Sequence, residues 1–160
     1  MPPVVRVQLG AALAGRAAGA PRSGTAGVAT AAVRRLMQRA ARAALRRAGA
    51  RRAELSITLL DDAEIRAMNR DFLAHDAVTD VISFALYAEG EDAVGDIYIG
   101  YDQAQRQAQV NDVAGAEELA RLAVHGTLHV LGHEHPAGAG RQRSEMWQLQ
   151  ESIVAQVLAS

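Results

Sequence analysis

Four of the chain's five histidines fall in one eleven-residue window, His125-Gly-Thr-Leu-His129-Val-Leu-Gly132-His133-Glu134-His135, and no other segment constrains the chain as tightly. Residues four apart on an α-helix lie one above the other, about 5–6 Å apart at Cβ, so His125 and His129 can direct two imidazoles at one point. A third ligand in a tetrahedral set cannot come from the same helical face. Gly132 resolves this, because glycine accepts positive φ and ends helices, so His135 can approach from another side. The chain has no cysteine, so a metal here would be held by imidazole or carboxylate. Zinc takes nitrogen ligands in a tetrahedron at about 2.0–2.1 Å. One zinc ion per chain is therefore expected, with another imidazole-favouring transition metal as the alternative.

The residues before the window predict a helix over 115–131. Glu117, Arg121, His125 and His129 make one polar stripe at steps of four, and Leu119, Leu122, Ala123, Val124, Leu128, Val130 and Leu131 occupy the remaining surface. Such a helix is largely buried, so its histidines need partners, and a metal would supply them. The spacing His-x3-His-x2-Gly-x2-His is the ligand spacing of the metzincin peptidases. The glutamate base that follows the first histidine in that pattern is Gly126 here. The expectation is a zincin-like helix carrying a three-histidine site without the peptidase base, its fourth position open to a water that becomes nucleophilic near neutral pH. Glu134 reads either as an acid/base group or as a solvated turn carboxylate, and His133 as a neighbour of the site or a surface residue.

The rest of the chain reads as one domain, residues 1–160, with the first fifty residues least informative. Residues 3–9 predict a strand, and 10–30 are a Gly/Ala-rich connection holding at most a turn or two of helix. Thr30 caps a helix to about Ala48, closed by Gly49 in the left-handed region. Leu55, Ile57 and Leu59 alternate with polar neighbours and predict a strand over 54–60. Asp61 and Glu64 make a capping box for a short helix. Strands over 80–87 and 96–99 flank a polar turn, and helices over 101–110 and 142–157 complete the list. This is an α+β pattern: a mixed sheet packed by helices.

The window HGTLHVLGHEH resembles the signature of the YbeY family, bacterial metal-dependent endoribonucleases of ribosomal RNA maturation, whose pattern is HGxLHLxGYDH. Thr79-Asp80-Val81-Ile82-Ser83-Phe84 and Gly95-Asp96-Ile97-Tyr98-Ile99 are similar to two of that family's strands, and Glu145, Met146 and Glu151 fit its acidic final helix. The resemblance runs in order over residues 54–155. It implies metal positions at His125, His129 and His135, and cleavage of phosphodiesters in single-stranded RNA, acting on 16S rRNA 3′ ends and in ribosome quality control. His133 and Glu134 replace the family's Tyr and Asp. Where the family carries an arginine tied to activity, this chain has Leu73, which cannot bind a phosphate. His75, two residues on, reads as a substitute donor to RNA or as an exposed loop residue.

All 17 basic residues are arginines, eight of them between Arg34 and Arg52, within a net charge of −1. Arg34, Arg35, Arg39, Arg42 and Arg46 share a helical face that suits RNA phosphates or is simply solvated. The expected partners are ribosomal RNA and ribosomal particles. No run suits a membrane span and the first twenty residues make a poor leader, so a cytoplasmic location is expected. Two other functions compete. One is a ribosome assembly factor with structural zinc and no catalysis, and the other is a metallohydrolase of another class, such as a peptidase.

Overall fold

The alternation of Leu55, Ile57 and Leu59 puts three apolar side chains on one face of strand β2 (Ala53–Leu60), and all three are fully buried. The computed structural model describes residues 2–18, 29–134, 140 and 144–160. Along them run β1 (Val4–Leu9), α1 (Ala11–Ala18), α2 (Ala31–Arg47), β2, α3 (Asp62–Leu73), β3 (Val81–Ala85), β4 (Ala93–Gly100), α4 (Tyr101–Val110), α5 (Gly115–Val130) and α6 (Glu145–Ala159). The sheet order is β1-β2-β4-β3. β1, β2 and β4 are parallel, and β3 is antiparallel to β4. This is the expected α+β architecture with a mixed sheet.

Local signals set several boundaries. Thr30 Oγ1 accepts from the Val33 amide at 3.2 Å and starts α2. Asp61 and Glu64 complete a capping box at α3, with bonds of 2.8 and 3.1 Å. Gly49 adopts φ +74° just beyond α2. Three elements differ from expectation. β3 stops at Ala85 rather than 87, and β4 begins at Ala93 rather than 96 because Ala93 and Val94 pair with Ala53 and Glu54 of β2. α6 starts at Glu145 rather than 142, where Ser144 Oγ accepts from the Trp147 amide at 3.1 Å. The connection expected over 10–30 begins as α1, whose Leu13 is fully buried, and its residues 19–28 lie outside the described residues.

Because successive strand residues face opposite sides, the sheet divides the apolar residues in two. Leu55, Ile57, Leu59, Ile97 and Ile99 join side chains from α1, α2, α4, α5 and α6 in the main core. Leu60, Ile65 and Ile82 form a small cluster under α3 on the other face.

α5 runs through the main core and is anchored at its C-terminal end. Gly132 takes φ +92°, and the amides of Gly132 and His133 return to the carbonyls of His129 and Leu128 at 3.0 Å each, a Schellman closure. Beside it the Tyr87 hydroxyl, from the β3–β4 connection, donates to the Val130 carbonyl at 2.7 Å. Tyr87→Phe removes that donor and leaves a helix-end carbonyl unmatched, so urea denaturation is expected to show a loss of about 1 kcal/mol. Unchanged stability would mean that the bond does not anchor α5.

Candidate metal centre

The four-residue step on α5 brings the His125 and His129 rings to 4.6 Å between centroids, at 72° to each other. His125 is buried, at 5% exposure, and His129 is half-buried. Two clefts meet at this pair. One, of about 430 Å³, is lined by both histidines with Leu73, Asp80, Val81 and Ser83 among others. The second, of about 480 Å³, is lined by His125, Asp80, Arg121, Trp147 and Gln150 among others. His125 and Asp80 belong to both.

Behind His125 lies a polar relay. Its Nδ1 is 2.7 Å from Gln150 Oε1. Gln150 Nε2 donates to Glu151 Oε2 at 3.1 Å. Arg121 then holds both oxygens of Glu151, with Nε and Nη2 donating at 2.9 and 3.0 Å, and it also pairs with Glu117 at 3.1 Å and Glu118 at 3.3 Å. Burial disfavours the Arg121 cation, but its bonds and charge pairing with Glu151, Glu117 and Glu118 outweigh that and raise its pKa. Burial also pushes the Glu118 carboxyl above the ordinary range, against the opposing pull of Arg121 and Gln107.

The structure treats the expected site residues unequally. His125 and His129 come together as the spacing predicted. His135 lies outside the described residues, and among the described residues no three His, Asp or Glu side chains form a metal-binding group. Glu134 is exposed after the Gly132 turn and lines neither cleft, and His75 is exposed beyond α3 and lines neither. Leu73, by contrast, lines the cleft beside His129 and is 46% exposed. Arg35, Arg39 and Arg46 are exposed on α2, and Arg34 and Arg42 are half-buried. None of the five lines either cleft, and Arg34 donates to the Ala29 carbonyl at 3.1 Å.

Sequence reasoning missed Gln150 and gave Asp80 no role beyond its strand. Gln150 did leave a signal. It sits on the same face of α6 as buried Met146, Ile153, Val154 and Val157, and a polar residue on such a face needs a partner.

Gly126 also has a structural reason beyond the absence of a base. A Cβ there would lie 2.6 Å from Ile97 Cγ2 and 3.2 Å from Ser83 Oγ. Position 126 thus faces the sheet at close approach, and a glutamate would not fit without moving α5 off β4.

The described donors suit an imidazole-bound ion. His125 Nδ1 is held by Gln150, and metal-binding histidines characteristically anchor one nitrogen in this way. The fold and site therefore define an α+β domain with a histidine-bearing helix between two clefts. A family model described as endoribonuclease YbeY matches residues 21–158. An endoribonuclease YbeY of Geobacillus kaustophilus is 44% identical over 114 residues, covering 64% of this chain and 72% of that one. One from Aquifex aeolicus is 36% identical over 116 residues, covering 71% and 77%. The solution structure of TM1509 from Thermotoga maritima shares the fold, with TM-score 0.62 and 20% identity over 98% of this chain and 90% of that one. The chain belongs to the endoribonuclease YbeY family, a family of hydrolases.

Alanine in place of a helix-interior glycine ordinarily stabilises by about 1 kcal/mol, but crowding a packed core costs about 1–3 kcal/mol. Ile97 is fully buried on β4 and cannot yield, so crowding wins. Gly126→Ala is expected to lower stability in urea by about 1–2 kcal/mol, and a variant as stable as the parent would contradict the close approach.

Proposed function

We propose that this chain is a metal-dependent endoribonuclease specific for single strands, acting on 16S rRNA 3′ ends and in ribosome quality control. One zinc ion per chain would be held by His125, His129 and His135. The observation that carries the reading is the juxtaposition of the His125 and His129 rings, 4.6 Å apart, where two clefts meet, in a member of a family of endoribonucleases.

A bound ion would polarise a phosphoryl oxygen and lower the pKa of water. The chain's own groups would then organise the RNA. Trp147, on the wall of the larger cleft, offers an aromatic face on which an unpaired base can stack, a contact closed to a base held in a duplex. Asp80 sets a carboxylate where the clefts join, so phosphate must approach from the histidine side. The exposed arginines of α2 would hold more distant phosphates by charge, with their affinity falling as salt rises. Cytoplasmic action on ribosomal particles fits this substrate, and among the described residues no helix is long and apolar enough to cross a membrane.

The competing functions are weaker. A peptidase of the spacing's own type needs a base at position 126, where Ile97 leaves no room for a side chain. A catalytically silent assembly factor would bind ribosomal particles without cutting RNA.

His129→Ala is expected to lose zinc, measured by elemental analysis, together with cleavage of single-stranded RNA. Cleavage that persists in the metal-free variant would refute the metal-dependent reading. Leu73 offers phosphate only an apolar side chain beside His129, so Leu73→Arg should raise kcat/KM on single-stranded RNA roughly tenfold, about 1.4 kcal/mol. An unchanged or lower value would show that phosphate does not pass that wall of the cleft.

A further inference from the structure

The geometry points to Gln150 as a positioning residue: anchored through Glu151 to Arg121, it fixes His125 in the tautomer that carries its proton on Nδ1 and its lone pair on Nε2. This rests on the metal-centre reading for its purpose, though not for its geometry.

Hydrogen-bond polarity is fixed along this relay from its charged end. A guanidinium only donates and an ionised carboxylate only accepts. Arg121 grips both oxygens of Glu151, so that carboxylate is held in place with both oxygens acting as acceptors. An amide can face a carboxylate only with its NH2 group, so the bond from Gln150 Nε2 to Glu151 at 3.1 Å orients the whole amide. Its oxygen must then face His125, at 2.7 Å from Nδ1. A carbonyl oxygen cannot donate, so Nδ1 carries the hydrogen. In the neutral ring the remaining nitrogen is the acceptor and potential ligand. Reversing any link would set two acceptors against each other in a buried position, which costs far more than a surface mismatch.

The placement of Gln150 makes the same point. It is 2% exposed on the apolar face of α6, where a leucine or methionine would pack without needing any partner. Neutral histidine in water favours the opposite tautomer, so the relay replaces the ring's own preference with the one a metal bound through Nε2 requires. The partners that orient a metal-binding histidine typically change metal affinity about 10–100-fold when removed.

The test compares wild type with Gln150→Met, which removes the acceptor at similar volume. Nitrogen-15 NMR of the metal-free proteins reads the His125 tautomer with the ring neutral, and competition with a chromophoric chelator reads zinc affinity. Wild type is expected in the Nδ1–H form. Gln150→Met should lose that preference and bind zinc about 10–100-fold more weakly. An Nε2–H ring in wild type, or Gln150→Met with tautomer or zinc affinity unchanged, would overturn the proposal. Wild type that binds no zinc while His125 stays in the Nδ1–H form would defeat the metal-centre reading and leave the relay standing. Should Gln150→Met fail to fold, Glu151→Gln takes its place: Glu151 is a third exposed, its amide no longer dictates the orientation of Gln150, and a tautomer and affinity equal to wild type would again overturn the proposal.

Discussion

A helix embedded in a protein core must match every polar group it carries, and in this chain α5 is that helix. Its apolar residues pack on the sheet and the neighbouring helices, so its polar stripe becomes a seam inside the fold rather than a solvated face. Arg121 satisfies one end of the seam with Glu117, Glu118 and Glu151. Gln150 satisfies His125, and the two clefts open where the seam reaches the surface. The site is thus a consequence of how α5 is buried.

Close approach makes that burial possible. Gly126 brings α5 onto Ile97, and Gly95 brings β4 onto Val130, where a Cβ would stand 2.6 Å from Val130 Cγ1. With side chains at either position the helix would ride higher, and the His125 ring would move relative to both α6 and the cleft wall of β3. Tyr87 and the Gly132 closure hold the far end, so the turn that leads toward His135 leaves α5 from a defined point.

Features written in local chemistry were legible in the sequence, and features decided by tertiary contact were less so. Thr30, Asp61 with Glu64, Gly49 and Gly132 announce their caps and turns because each acts within a few residues of itself. The early start of β4 was hidden, because Ala93 and Gly95 have little strand preference and are ordered by pairing with β2. At the site, the step from His125 to His129 was readable from helical geometry. The meaning of Gly126 was only half readable: spacing showed the missing base, but the crowding against Ile97 needs the sheet. Gln150 shows how a long-range partner can still leave a trace, since a glutamine among the apolar positions of an amphipathic helix implies something buried to bond with.

X-ray absorption at the metal edge of the purified protein tests most directly whether imidazoles of this chain share one metal ion. About one equivalent of metal is expected, with three imidazole nitrogens at about 2.0–2.1 Å and a water oxygen completing a four-coordinate shell. Protein carrying no metal, or a metal whose shell shows fewer than two imidazoles, would contradict it.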